Sequence, residues 1–250
     1  MSDKTAPVAE IFSSLAGEAS YVGYRQLFVR FAGCPLRCSY CDTITDTTAP
    51  ARLEQTPGQG DLTELPNPLS LVQVVEAIER LEKAVPGHRH LVLTGGEPLL
   101  HSAFIVQLLP LLEPLKLPVY LETAGVLPDE LEPLLPFLDV VAADIKLPSS
   151  TIKNYWTETR RFLKLCADSP VELIIKLPVG RRTETEELLR AVAMAKEIAP
   201  DAPLILQPIH ASDGAPELDG GDLLNTLLLV SRHHPDVRLI PQTHKLIGVL

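Results

Sequence analysis

Apolar residues along this chain fall into two alternating rhythms. Short apolar runs predict strands at Gln26–Phe31, His90–Thr94, Val119–Glu122, Val140–Asp144, Glu172–Leu177, Leu204–Gln207 and Val237–Ile240. Helical stretches fall between several of them. Val72, Val75, Ile78 and Leu81 line one face of a helix opened by a Ser70 to Gln73 capping box, Thr183 and Glu187 flank the start of Glu184–Ala199, and Asp222–Arg232 follows. Strand and helix in alternation make an α/β chain with a parallel sheet. Pro110, Pro114, Pro118, Pro133 and Pro136 shorten the middle helices, so a complete eight-fold barrel does not fit. The pattern predicts an incomplete, TIM-like barrel of about six parallel strands.

In such sheets the loops after the strand C-termini converge on one edge, where ligands bind. Thr94, Glu122, Asp144, Lys146, Gln207 and His244 fall at that edge. The polar segment 45–68, carrying Gly58 and Gly60, predicts a flexible loop excursion. No linker divides the chain, so residues 1–250 read as one domain. Twenty-two Lys and Arg against 32 Asp and Glu give a net charge of −10, the wrong sign for gathering many phosphates, which disfavours nucleic acid as a partner. Met1–Pro7 lacks the apolar core of a signal peptide, and no apolar stretch approaches the length of a bilayer span, so a cytoplasmic protein without membrane contact is expected.

Three of the four cysteines fall within eight residues, Cys34-Pro-Leu-Arg-Cys38-Ser-Tyr-Cys41. Soft thiolates at this spacing can wrap one face of an iron–sulfur cluster. Because the usual cluster takes four cysteines, one iron then keeps an open position for a substrate or cofactor. A zinc knuckle completed by Cys166 or one of the seven histidines is the competing reading. Zinc sites usually pair C-x2-C units, however, and Cys166 stands alone far downstream. At 250 residues and 46% hydrophobic content the chain can bury a real core and has no need of disulfides. Cys166 reads as a buried structural thiol. Further along, Thr94-Gly95-Gly96-Glu97-Pro98 follows a strand; alone it is an ordinary turn, but paired glycines there let backbone groups approach a ligand. The cysteine spacing and the GGEP sequence together resemble the radical S-adenosylmethionine (SAM) superfamily. That resemblance implies a 4Fe-4S cluster whose open iron chelates the methionine end of SAM, with the SAM amino group held at Gly96 and the adenine packed on Tyr40, otherwise a plain core aromatic.

The two ends of the chain narrow the resemblance. Glu10–Glu18, Phe28–Cys34 and Cys41-Asp42-Thr43 are similar to the opening of the 7-carboxy-7-deazaguanine synthases, and Pro241-Gln242-Thr243-His244-Lys245 to their QTHK ending. Leu121–Gly125 and Leu206–Ile209 resemble internal motifs of the same family. The resemblance implies rearrangement of 6-carboxy-5,6,7,8-tetrahydropterin to 7-carboxy-7-deazaguanine with loss of ammonia, in queuosine-type deazapurine biosynthesis. It also implies an electron donor such as flavodoxin or ferredoxin, and a homodimer.

Carried over position by position, the family pattern places substrate at Leu15, Ala16, Gly17, Arg30, Thr94, Glu122, His244 and the terminal carboxylate of Leu250. Magnesium falls at Thr43, the cluster at Cys34, Cys38 and Cys41, and SAM also at Asp144, Ile145, Lys146, Gln207, Pro208, Ile209 and His210. The residue types suit these ligands, since arginine can fork onto a carboxylate and glutamate can accept from a pterin's N–H groups. Each also has a duller reading: Arg30 as a surface ion pair, Glu122 as a buried hydrogen-bonded acid, Thr43 as a turn residue. The chain departs from the family at three places: Ala16 where glutamine is usual, Asp144-Ile145-Lys146 for Ser-Pro-Lys, and Leu250 for proline. Competing functions are a glycyl-radical-enzyme activase, whose internal motif Asp144-Ile145-Lys146 resembles, and a non-catalytic iron–sulfur electron-transfer protein.

Overall fold

The computed structural model describes residues 4–41, 43, 46–151, 153–211 and 214–249. The strands are β1 (Thr5–Ala6), β2 (Val8–Leu15), β3 (Arg25–Phe31), β4 (Ala51–Glu54), β5 (Leu62–Leu65), β6 (Leu69–Ser70), β7 (Leu91–Gly95), β8 (Val119–Thr123), β9 (Val140–Asp144), β10 (Glu172–Val179), β11 (Leu204–Pro208) and β12 (Val237–Leu239). Helices α1 (Leu71–Ala84), α2 (Ser102–Leu112), α3 (Pro128–Leu131), α4 (Trp156–Ala167), α5 (Thr185–Ile198), α6 (Gly220–Ser231) and α7 (Thr243–Ile247) complete the order. Ten strands form one sheet in the order β12-β11-β10-β9-β8-β7-β3-β2-β4-β5, while β1 pairs with β6 apart from it. From β3 through β7, β8, β9, β10 and β11 to the short β12 every pairing is parallel, as the alternating pattern predicts. The sheet is open, with β12 and β5 as its two edges. It is extended beyond β3 by β2, antiparallel to β3, and by the β4–β5 hairpin.

Successive side chains on a strand face opposite ways, and here the two faces have separate jobs. Leu27, Val29, Leu91, Leu93, Leu121, Val141 and Ile175 pack under the helices in the main core. The opposite, inner face carries a second cluster low on the strands, including Phe12, Phe28, Val92, Tyr120, Ile174 and Ile205. Beyond that cluster, toward the strand C-termini, the same face turns polar.

Three sequence expectations need correction. The segment 45–68 contains the β4–β5 hairpin: Ala51, Leu53 and Glu54 are buried, and the Asp61 carboxylate accepts from the N–H groups of Gln55 and Thr56 across the turn. The buried face of α1 is Val74, Ala77, Ile78 and Leu81, with Val72 exposed. A strict three-residue step drifts around a helix, so positions nine apart lie about half a turn out of phase. Pro98–Leu115, 18 residues of mean hydropathy 1.3, does reach the length and apolarity of a bilayer span. Its Phe104, Ile105, Leu108, Leu109 and Leu112 sit in the core; Ser102, Gln107 and Glu113 break the apolar run, which hid its length.

Candidate active site

β3 feeds directly into the cysteine loop, which is seated on β7. The Phe31 carbonyl accepts from Gly96 N–H at 3.1 Å and the Gly33 carbonyl from Glu97 N–H at 2.9 Å; His101 Nε2 donates to the Ala32 carbonyl at 2.7 Å. A Cβ at Gly96 would collide with the Gly33 carbonyl, and one at Gly95 with the Phe31 backbone. The paired glycines therefore allow the cysteine loop to approach, and the Gly96 N–H is engaged by protein. Glu97 is buried and locks the turn: its carboxylate accepts from Leu99 N–H at 3.1 Å, the Thr123 hydroxyl at 2.8 Å and Ala124 N–H at 2.8 Å. Burial pushes its carboxyl up despite these bonds.

Cys34, Cys38 and Cys41 carry free thiols and line one cleft of about 840 Å³. Burial pushes the thiols of Cys34 and Cys38 up, an effect the Lys146 ammonium opposes at Cys38. Cys166 lies apart on α4 in the main core, its thiol pushed up to about 12 by burial. Among the described residues no three His, Cys, Asp or Glu side chains converge to hold a single metal ion. Three soft thiols on one loop are the donor set of an iron–sulfur cluster that keeps one iron open.

The inner-face positions that follow the second apolar cluster are Arg30 on β3, Thr94 on β7, Glu122 on β8, Asp144 on β9, Lys176 on β10 and Gln207 on β11, and all line the cleft. Strand register sets them side by side, Arg30 opposite Thr94 and Lys176 opposite Asp144. Arg30 Nε donates to Glu10 at 2.9 Å, and Glu10 also holds Arg52; the Arg30 guanidinium stands 5.5 Å over the Phe12 ring. The Thr94 hydroxyl donates to Glu122 at 2.9 Å. Burial pushes Glu122 above the usual carboxylate range and the nearby Glu18 charge adds to this, while the Lys176 and Arg30 cations and the Thr94 bond hold it down.

Lys176 is buried and ion-paired to Glu18 at 2.8 Å and to Asp144 at 3.4 Å. Asp144 also holds Lys146 at 2.6 Å, and Lys146 donates to the Tyr40 hydroxyl at 3.2 Å. Burial alone would raise Glu18, but the Lys176 charge and the bonds from Lys176 and Gln242 bring it well below the usual carboxylate range. After β2 the chain crosses the inner face, and the C-terminal segment docks on that crossing. Gln242 Nε2 donates to Glu18 at 2.7 Å, Thr243 N–H donates to the Gly17 carbonyl at 2.8 Å, and a Cβ at Gly17 would collide with the His244 ring.

Most sequence-derived positions meet in this cleft: Leu15, Gly17, Arg30, Tyr40, Thr43, Thr94, Gly96, Glu122, Asp144, Lys146, Gln207, Pro208, Ile209, His210 and His244 all line it. Two do not. Ala16 is buried outside the lining, its backbone paired with Gly23 and Tyr24, and Ile145 points into the main core because strand alternation turns it away from Asp144 and Lys146. Leu250 lies outside the described residues. Lys176, Glu18, Glu10 and Arg52 line the cleft without having been singled out. For Lys176 the signal was present, a lone lysine in the apolar run Leu173–Val179. A polar ligand fits the positions that the resemblance gives to SAM: among the described residues Gln207 Oε1 and both His210 ring nitrogens are buried without a hydrogen-bond partner, a costly state unless something fills the cleft beside them.

Residues 28–204 match the Radical SAM superfamily. The chain is 40% identical to the 7-carboxy-7-deazaguanine synthase of Geobacter sulfurreducens over 100% of both sequences. It is 34% identical to that of Methanopyrus kandleri, over 97% of this chain and 94% of the relative. The crystal structure of QueE from Escherichia coli superposes with a TM-score of 0.58 at 21% identity, covering 94% of this chain and 93% of that one, a likeness of fold.

Proposed function

The chain belongs to the 7-carboxy-7-deazaguanine synthase family of the radical SAM superfamily, and we propose that it converts 6-carboxy-5,6,7,8-tetrahydropterin to 7-carboxy-7-deazaguanine with release of ammonia. The observation that carries this reading is one cleft that joins the three thiols of the cysteine loop to a half-buried carboxylate, Glu122, and a guanidinium, Arg30.

Glu122 is held by the Thr94 hydroxyl and presents an acceptor for the amino and ring N–H groups of a pterin. Arg30, braced by Glu10, offers N–H donors to the substrate carboxylate. Leu15, Gly17 and His244 line the same cleft. With a cluster and SAM bound at the cysteine loop, the pair would supply one-electron, radical chemistry to the substrate end of the cleft. Cys34, Cys38 and Cys41 would hold the cluster. Tyr40, Asp144, Lys146 and the Gln207–His210 segment would hold SAM, with the Ile145 side chain turned into the core. Thr43 lines the same cleft and would offer an oxygen to magnesium, an ion that prefers oxygen ligands and keeps several waters. A one-electron donor such as flavodoxin or ferredoxin, a homodimer and a cytoplasmic location complete the reading.

Reconstituted, reduced protein given SAM and carboxytetrahydropterin should form 7-carboxy-7-deazaguanine and ammonia. SAM cleavage without that product would point to the activase reading, and no SAM cleavage at all to an electron carrier.

A further inference from the structure

Lys176 is a buried cation for which the proposed reaction has no direct task. It is the only charged residue of β10 beyond Glu172 at its start, and it stands among the carboxylates of Glu18, Asp144 and Glu122, hydrogen-bonded to the first, ion-paired to the second and acting on the third through space. Its partner Glu18 is two-handed: one carboxylate oxygen takes the Lys176 ammonium and the other takes Gln242 Nε2. Gln242 leads into α7, where the Thr243 N–H and hydroxyl both reach the Gly17 carbonyl and His244 rests in the space left by the missing Gly17 side chain. The last turn of the chain is thus attached to the cleft through residues 17 and 18, and β10 anchors that crossing through one buried ion pair.

We propose that Lys176 is a positioning residue: through Glu18 and Gln242 it latches the C-terminal segment, and with it His244, over the substrate end of the cleft. Resting on the substrate role of His244 in the reading above, the latch gives the pair Lys176–Glu18 a place in substrate affinity although neither need touch substrate. Charged hydrogen bonds in a partly dry site are strong, and a carboxylate can accept from two elements at once, whereas an amide in its place keeps one acceptor oxygen and no charge.

The test uses the full chain with its cluster reconstituted. Glu18→Gln and Gln242→Ala should each raise the KM for carboxytetrahydropterin by about tenfold or more, with a smaller change in kcat. Both should speed amide exchange of Thr243–Val249, measured without substrate, by a similar factor. Lys176→Met should do the same, and Lys176→Arg should restore most of the loss. Where Lys176→Met fails to fold because Glu18 and Asp144 are left uncompensated, the Lys176→Met/Glu18→Gln pair removes one charge of each sign and reads the same latch. Unchanged exchange of Thr243–Val249 in Glu18→Gln and Gln242→Ala would overturn the proposal, as would faster exchange with an unchanged KM. Because exchange is read on substrate-free protein, it decides whether the latch exists even if wild type leaves carboxytetrahydropterin unconverted.

Discussion

At Glu122 burial pushes the carboxyl up more strongly than Lys176 and Arg30 hold it down, and this sets a pH dependence. The ionised form accepts the substrate's N–H donors, and it is populated above the raised pKa. Affinity for carboxytetrahydropterin should therefore fall as the pH falls toward the ordinary glutamate value of 4.5, beginning above it. A profile of KM against pH should show this rise on the acid side; Glu122→Gln should bind weakly throughout and lose the acid limb. The cysteines divide in the same residue-by-residue way. Replacing Cys34, Cys38 or Cys41 with alanine should abolish SAM cleavage and lower iron content, since two thiolates cannot hold a site-differentiated cluster. Cys166→Ala, in the main core on α4, should retain both at a stability cost of about 1 kcal/mol. A Cys166 variant without iron would reverse the assignment.

Between elements, the end of β7 and the start of the cysteine loop meet backbone to backbone. Gly96→Ala would press a methyl into the Gly33 carbonyl, and the loop has to move to relieve it. The expected outcome is a folded protein whose iron content and SAM cleavage fall together, checked by iron analysis beside far-UV circular dichroism. Full iron loading would mean the contact is not needed. Strands β7 and β9 were legible because each is a short apolar run ending at a turn signal: the expected His90–Thr94 is Leu91–Gly95, and the expected Val140–Asp144 has those bounds. The β4–β5 hairpin was not legible. Its strands are four residues each, and what makes Ala51 and Leu53 core residues is β2, a partner some forty residues earlier with which Arg52 and Leu53 pair; local composition carries no record of a nonlocal partner. The same limit applies to the site. Thr94, Glu122 and Asp144 were visible at strand ends, whereas Glu10 was quoted as part of a motif, and only the sheet shows that it braces Arg30 and Arg52 together.

Across the whole molecule, Glu18 closes two long loops, bonding to Lys176 at a separation of 158 residues and to Gln242 at 224. Fixing such distant segments orders a great deal of chain, so the pair should register in global stability as well as in the site. Removing one partner of a buried ion pair costs roughly 3 to 5 kcal/mol because the other is left uncompensated; Asp144, at 3.4 Å from Lys176, places Glu18→Gln at the lower end of that range. The sign with pH follows from linkage. Glu18 has its carboxyl lowered from the ordinary 4.5 in the folded protein, so its contribution is fully present above pH 4.5 and is lost as the pH falls below it toward the folded value. The gap in thermal midpoint between wild type and Glu18→Gln should accordingly be widest near neutrality and narrow below about pH 4.5. A gap that widened on acidification would mean that the folded protein binds the Glu18 proton more tightly than the unfolded chain does, and that the Lys176 ion pair does not govern this carboxylate.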